Sequence, residues 1–254
     1  KPLWGKRAVV EDHFNELVID LVNPAGQPER MQLVVRGYND GFAFCYKIPD
    51  GKGPCVNVQS ELTAYNFAGD YTAWFYNGEN HNIGPEKLTE TDGTRLPVMT
   101  VKAGDKHYMA IHEACLETGA PLVLQSKGGE SLFSVASKPT SLSPGYTSAW
   151  RVVLYGTTPG VLTDSHLLEL LNPDPDSRYD FSWVKPGLAV WDWRINGAVW
   201  DGFTYGMSYP SWVRMVDFAA EQGFKYLVLD ANWYGPEFES DSDPVEGEKA
   251  QDVQ

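Results

Sequence analysis

Two aspartates and two tryptophans in the last third of the chain combine side chains that could bind a sugar. Asp192 is followed directly by Trp193, and Asp230 is followed shortly afterwards by Trp233. A carboxylate accepts hydrogen bonds from hydroxyl groups, and an indole ring offers a flat apolar face. A sugar ring matches both surfaces, so these four residues are candidates for carbohydrate binding. The alternative interpretation is that the aspartates cap loops or helices and that the tryptophans belong to the core.

The stretch that carries these residues predicts a strand, a helix and a second strand. The helix is expected to begin at Ser208, whose hydroxyl can cap the first turn, with Pro210 inside that turn and Gly223 as a left-handed C-cap. Apolar side chains recur at helical spacing and predict one buried face, made of Trp212, Val213, Val216, Ala219 and Ala220.

The two predicted strands, at 188–193 and 224–229, are short and largely apolar. This pattern is typical of parallel strands that are buried on both faces. Asp192 and Asp230 each lie where such a strand ends. Ligands of parallel α/β folds bind at the carboxyl ends of the strands, so we expect both aspartates at the same edge of the predicted sheet.

The first 165 residues or so consist of short apolar and β-branched runs separated by turn-forming pairs such as Asp92–Gly93. The predicted strands are 17–22, 31–38, 42–48, 62–67, 71–76, 97–101, 108–111, 122–124, 132–135 and 151–154. Many short strands with frequent turns favour an antiparallel β-sandwich. A short amphipathic helix is expected at 164–171, and the segment 172–180, rich in proline and aspartate, indicates a linker. The predicted domains are therefore 1–180 and 181–254.

The overall composition argues against some classes of partner. The 254 residues carry a net charge of −14, which disfavours nucleic acid or an anionic membrane as the main partner. No run approaches the roughly 18 apolar residues of a membrane span. Cys45 and Cys55 flank a predicted turn, so they could form a hairpin disulfide or could be buried thiols. Without any CxxC pair, a zinc site is not expected.

The predicted second domain is short for a parallel fold. One β-α-β unit cannot cover both faces of a parallel sheet, and a closed parallel barrel needs roughly 200 residues or more. The segment 181–254 is much shorter than that. We therefore expect this chain to contain an incomplete α/β domain.

Four stretches form an ordered set of motifs. They are RGYNDGFAFCY at 36–46, IHEACL at 111–116, AWRVVLYG at 149–156 with LTDSHLLELLNP at 162–173, and SWVKPGLAVWDW at 182–193 with FAAEQGFKYLVLDANWY at 218–234. In this order they resemble glycoside hydrolase family 97, the calcium-dependent α-glucosidases and α-galactosidases. Cys45 and Arg194 depart from the residues usual in that family, which affects the expected substrate preference rather than the resemblance.

The resemblance implies an N-terminal antiparallel β-super-sandwich followed by a (β/α)₈ barrel, of which this chain would hold the first two strands. The first strands of the sandwich would also be missing. The resemblance further implies that Glu113 binds calcium at the mouth of the barrel, and calcium does take six to eight hard oxygen ligands. It implies that Trp193, Asp230 and Trp233 line the sugar site, together with Asp192. Without the resemblance, Glu113 is simply a surface glutamate at a strand end.

The implied activity is hydrolysis of α-glucosides or α-galactosides by a periplasmic or secreted enzyme with an oligosaccharide substrate. Such hydrolysis uses two carboxyl groups across the scissile bond. The residues of this chain nominate neither group, so both are expected beyond residue 254. The sequence does not indicate an oligomeric state.

Two other functions are compatible with the same residues. A non-catalytic carbohydrate-binding protein would explain why no pair of catalytic carboxylates can be identified. A structural or interaction domain would need its aromatic side chains only for the core. Exposed indole rings at Trp193 and Trp233 beside Asp230 would argue against that last function.

Overall fold

The computed structural model describes residues 5–22, 25, 28–79, 82–117, 119–231 and 233. The chain divides into two compact units, Lys1–Asp176 and Ser177–Gln254. The division lies inside the segment 172–180 that the sequence marks as a linker. Neither unit contains, in its described part, a helix with the length and apolar character needed to cross a membrane.

The first unit is built mainly from β-strands. They are β1 (Asn15–Val22), β2 (Pro28–Tyr38), β3 (Gly41–Lys47), β4 (Val56–Val58), β5 (Ala64–Asn66), β6 (Thr72–Tyr76), β7 (Asn82–Lys87), β8 (Asp92–Lys102), β9 (Tyr108–Ala114), β10 (Leu124–Lys127), β11 (Leu132–Val135), β12 (Thr140–Leu142) and β13 (Trp150–Gly156). Two short helices follow, α1 (Pro159–Asp164) and α2 (Leu167–Leu170).

Eleven of these strands form one hydrogen-bonded antiparallel network, with the order β1-β2-β3-β13-β9-β8-β10-β11-β5 and with β6 and β7 branching from β8. Strand β8 takes part in both layers of the sandwich, one through β10 and the other through β9. Its first residues, Asp92 to Arg95, pair with β10, whereas Met99 to Lys102 pair with β9. The remaining strands, β4 and β12, form a separate antiparallel pair. This topology confirms the predicted antiparallel β-sandwich.

Two apolar clusters cover opposite faces of the central strands. Ala110 of β9 and Val152 of β13 belong to a cluster that also contains Leu167 of α2. Ile111, the neighbour of Ala110, belongs to the other cluster, because successive side chains of a strand point to opposite faces. In that second cluster, Phe75 of β6 packs on Phe133 of β11 with ring centroids 5.5 Å apart. The second cluster is thus the core between the two layers.

Most predicted strands are present, with differences at their ends. The strands β4, β7 and β12 were not predicted, because they are short or contain too few apolar residues for the alternation to stand out. The single helix expected at 164–171 is instead two helices, and the chain is extended at Ser165 between them. All three cysteines are free, with Cys45 buried and Cys55 exposed, so the possible disulfide between them is not formed.

The second unit contains a parallel pair of strands joined through a helix, which confirms the predicted β-α-β unit. Its elements are β14 (Ala189–Trp191), α3 (Asp192–Ile195), β15 (Val199–Trp200), β16 (Phe203–Thr204), α4 (Tyr209–Gln222) and β17 (Tyr226–Val228). Strands β14 and β17 are parallel, with Ala189 opposite Tyr226 and Trp191 opposite Val228. Both strands are shorter than predicted, and β14 ends at Trp191 because the chain turns into α3 at Asp192.

Helix α4 ends as expected but begins differently. Gly223 adopts φ +72°, and its N–H closes the last turn on Ala219 and Ala220. Ser208 holds the N-cap position, yet its hydroxyl makes no capping hydrogen bond and instead lies 3.3 Å from the hydroxyl of Ser211. The predicted role of the Ser208 hydroxyl is therefore wrong.

The buried face of α4 also differs from the predicted one. It contains Trp212, Met215 and Ala219, whereas Val213 and Val216 are 41% and 50% exposed. Spacings of three and four residues define a narrow stripe on a helix, and only that stripe faces the two strands. The predicted face was too wide because sequence periodicity cannot show how many neighbours a helix has.

Candidate functional site

Glu113 lies near the end of β9, opposite Arg151 of β13. Its side chain is 9% exposed. The carboxylate atom Oε2 accepts a hydrogen bond from the backbone N–H of Leu122 and lies 3.9 Å from Nη1 of Arg151. Glu113 is therefore a well-held carboxylate at the edge of the sandwich core rather than a freely solvated surface side chain.

Arg151 is anchored on its other side by a second carboxylate. Its Nε and Nη2 atoms donate to Oε1 and Oε2 of Glu61 at 3.1 Å and 2.8 Å. This is the fork-to-fork geometry that makes arginine–carboxylate pairs both strong and directional. The backbone N–H of Glu61 in turn donates to the hydroxyl of Ser137 at 2.7 Å. Glu61, Arg151 and Glu113 thus form a partly buried row of charges, which we call the Glu–Arg–Glu row.

Burial dominates the electrostatics around Glu113. Loss of hydration raises the pKa of its carboxyl, while the Leu122 N–H and the charge of Arg151 act in the opposite direction. On the other face of β9, burial lowers the pKa of His112. His112 Nδ1 accepts the backbone N–H of Glu113 at 2.8 Å, which requires the neutral form of the ring. The imidazole therefore acts as a hydrogen-bond acceptor that fixes the backbone beside Glu113.

The environment of Glu113 fits a single calcium ligand but not a complete calcium site. The described residues contain no group of three or more His, Cys, Asp or Glu side chains that could hold a metal ion. Around Glu113 itself, the hydrogen bond and the ion pair both involve Oε2. A carboxylate held through one oxygen can offer the other to a hard cation. The donor chemistry therefore agrees with one monodentate ligand from this chain.

In the second unit, Asp192 is fully buried, with 0% exposure. Its Oδ2 atom accepts the indole N–H of Trp212 at 2.9 Å, and its Oδ1 atom accepts the backbone N–H of Asp230 at 3.0 Å. These two bonds connect the end of β14 to helix α4 and to the residues after β17. The structure places Asp192 where it orients its neighbours and leaves no exposed surface for a ligand.

Asp230 is the carboxylate that remains partly exposed at this edge. Its Oδ2 atom accepts the indole N–H of Trp191 at 2.6 Å. Trp191 is 38% exposed, and Trp193, in helix α3, is 49% exposed. Trp233 is half-buried. This edge therefore has one partly exposed carboxylate, and the exposed indole rings are those of Trp193, which the sequence nominates, and Trp191, which it does not.

Several residues of these two sites were not predicted from the sequence. Arg151 stands inside an otherwise apolar strand, WRVVLYG, and a charged residue in such a run is a signal that it is paired. Glu61 lies 90 positions away along the chain, so no local pattern connects it to Arg151. Trp191 and Trp212 looked like core residues, and only the folded structure shows their indole donors directed at Asp230 and Asp192.

Comparison with known proteins agrees with this architecture. A model of the family described as "Glycosyl-hydrolase 97 N-terminal" matches residues 1–173. A "Retaining alpha-galactosidase" of Bacteroides thetaiotaomicron is 28% identical over 241 residues, which cover 78% of this chain and 36% of that protein. A "Probable retaining alpha-galactosidase" of Streptomyces bingchenggensis is 30% identical over 225 residues, covering 81% of this chain and 32% of that protein.

Solved structures show the same similarity. A glycoside hydrolase family 97 enzyme from Pseudoalteromonas sp. strain K8 in complex with acarbose superposes with a TM-score of 0.73 at 25% identity, covering 92% of this chain and 38% of that one. A structure of a family 97 enzyme from the same strain in complex with panose gives the same values.

This chain spans about a third of the length of the curated relatives that it matches. The family model covers more than half of the chain and includes the whole Glu–Arg–Glu row. The chain therefore belongs to glycoside hydrolase family 97, and its residues 1–173 match the N-terminal part of that family.

Proposed function

We propose that the protein containing this chain is a calcium-dependent, retaining α-glycosidase that acts on α-galactosides. The observation that carries this proposal is the similarity to two proteins named as retaining α-galactosidases over about four fifths of this chain. The acarbose and panose complexes of the structural relatives support an oligosaccharide as the substrate. They also keep α-glucosides as the alternative substrate class.

Glu113 is the residue of this chain that we propose as a calcium ligand. It is an oxygen donor, and its Oε2 atom is already held by the Leu122 N–H and by Arg151. Bound calcium would supply positive charge that orients and polarises oxygen atoms of the substrate or of the catalytic groups. The residues of this chain hold Glu113 in place for that purpose, and we assign the remaining ligands to other parts of the protein.

The strand ends of the second unit are the proposed sugar contacts of this chain. Asp230 would accept hydrogen bonds from sugar hydroxyls, and Trp193 and Trp233 would offer apolar faces. Asp192, which the sequence also nominates, would act through Asp230, because its carboxylate is buried and binds the Asp230 N–H. The two catalytic carboxyl groups are proposed to lie outside these 254 residues. For a retaining enzyme they should be about 5–5.5 Å apart.

The test is an assay of the whole protein on nitrophenyl α-galactoside and α-glucoside, with and without a calcium chelator. We expect faster turnover of the α-galactoside, loss of activity in the chelator, recovery on adding calcium, and release of the α-anomer when the reaction is followed by NMR. Faster turnover of the α-glucoside would contradict the proposed preference for α-galactosides and favour the α-glucoside alternative. Chelator-insensitive activity would show that the calcium dependence is wrong.

The proposed location is the periplasm or the cell exterior, as the family resemblance implies. Fractionation of the producing cells, followed by detection of the protein with an antibody, tests this part of the proposal. We expect the protein outside the cytoplasmic fraction. Its recovery with cytoplasmic marker enzymes would contradict the proposed location while leaving the proposed activity unaffected.

A further inference from the structure

The Glu–Arg–Glu row contains more negative than positive charge. Arg151 lies between Glu61 and Glu113, and its side chain is 5% exposed. Two of its three guanidinium nitrogens bind both oxygens of Glu61. The guanidinium group of Arg151 therefore interacts mainly with Glu61. Its contact with Glu113 is longer, at 3.9 Å. Glu113 is thus paired with Arg151 only through a long ion pair, without a direct hydrogen bond to the guanidinium.

The third nitrogen of Arg151 faces Glu113 without a hydrogen bond. Among the described residues, Nη1 of Arg151 is a buried donor with no acceptor within hydrogen-bonding geometry. A buried unpaired donor is costly, so such atoms usually have a specific reason to be where they are. Nη1 lies 3.9 Å from Oε2 of Glu113 and takes no part in the two hydrogen bonds to Glu61.

We propose that Arg151, held by Glu61, is a positioning residue for Glu113. It attracts Oε2 of Glu113 towards the sandwich core without neutralising the carboxylate, so that Oε1 is presented to a cation. This inference rests on the proposed calcium role of Glu113 and adds the two residues that control it. A lysine cannot replace Arg151 in this role, because an ammonium group lacks the fork that binds Glu61 and faces Glu113 at the same time.

The experiment measures calcium affinity in the whole protein, by calorimetric titration of the chelator-treated protein with calcium chloride. The variants are Arg151→Lys, Glu61→Gln and Glu113→Gln. Groups that orient a metal ligand typically change metal affinity by about 10- to 100-fold, and we expect a loss in this range for R151K and E61Q. In E61Q the guanidinium is free to pair with Glu113 directly, which should weaken calcium binding although the arginine is still present.

The matched control is Arg95→Lys. Arg95 pairs with Glu86 at 3.4 Å in the same unit, and the two side chains are 14% and 22% exposed. R95K should lower the thermal midpoint measured without calcium but leave the calcium affinity unchanged. If R151K does not fold, E61Q, which keeps the size and shape of the side chain, decides the outcome.

The possible results separate the two proposals. If E113Q loses calcium affinity while R151K and E61Q bind calcium as the parent does, the positioning role is wrong and the proposed function stands. If E113Q binds calcium as the parent does, the metal role of Glu113 is wrong and Arg151 has no ligand to position. A loss in all three variants, with R95K unaffected, supports the inference.

Discussion

The carboxylate of Asp192 accepts a hydrogen bond from the backbone N–H of Asp230, 3.0 Å away, and so joins the ends of two parallel strands. The second oxygen of Asp192 accepts the indole N–H of Trp212 in the crossover helix. One fully buried carboxylate therefore connects all three elements of the β-α-β unit. This explains why a charged residue stands at a position with no exposure to solvent.

We expect Asp192→Asn to destabilise the second unit. The new amide can accept a hydrogen bond from only one of the two donors, so a buried N–H loses its partner at a cost of about 1–3 kcal/mol in the free energy of unfolding. Urea unfolding followed by tryptophan fluorescence measures the change. The control is Asp217→Asn on the exposed side of α4, which should unfold like the parent. Equal stability of D192N and the parent would show that the two bonds contribute nothing.

Gly41 is required where β3 begins. A Cβ atom at this position would lie 2.3 Å from the carbonyl oxygen of Val153 and 3.1 Å from a side-chain carbon of Leu167. Gly41→Ala should therefore lower the free energy of unfolding by roughly 1–3 kcal/mol, the usual range for overpacking. Gly37→Ala on the neighbouring strand is the control, because a Cβ atom added there would have nothing within 4 Å. Thermal unfolding of the two variants should differ clearly, and matching midpoints would contradict this account.

Two of the three free cysteines, Cys45 and Cys55, should differ in reactivity. Burial raises the pKa of the Cys45 thiol to about 11, and Cys45 is 1% exposed, whereas Cys55 is exposed. Because the thiolate is the reactive form, Cys45 should react with a disulfide reagent at pH 8 only after unfolding, while Cys55 should react at once. Mass mapping of the labelled peptides identifies the sites, and Cys55→Ser should remove the fast label from the peptide that contains residue 55. Fast labelling of Cys45 in the native protein would contradict the buried position.

Protonation of His112 should contribute to a fall in the free energy of unfolding at acidic pH. Burial lowers its pKa in the folded state below the ordinary value of 6.5, so the unfolded chain binds a proton at His112 first. Stability is therefore unaffected by His112 above pH 6.5 and falls as the pH drops below 6.5, until the folded-state pKa is reached. His112→Asn, whose carbonyl oxygen can still accept the Glu113 N–H, should show a smaller loss of stability between pH 7 and pH 5.

The comparison for that experiment is His13→Asn, a change at an exposed site. Unfolding midpoints of the parent, H112N and H13N measured across this pH range should separate H112N from the other two. If the three proteins lose stability in parallel as the pH falls, the half-buried imidazole of His112 makes no contribution to acid sensitivity.

The sequence by itself determined the local structure of this protein. Alternation of apolar residues, turn-forming pairs and the Pro210 and Gly223 signals depend on neighbours along the chain, and they predicted the antiparallel sandwich, the β-α-β unit and the end of α4. The ordered motifs predicted the family. These signals are readable because each arises from the conformational preferences of a few adjacent residues.

Only the tertiary structure decided which side chains meet. Glu61 and Arg151 are 90 residues apart, and Trp191 and Asp230 are 39 apart, yet each pair forms a hydrogen bond. The same holds for burial, because Asp192 and Asp230 look alike in sequence while one is fully buried and the other partly exposed. Such contacts depend on how sheets and helices pack, and no pattern within a single segment contains that information.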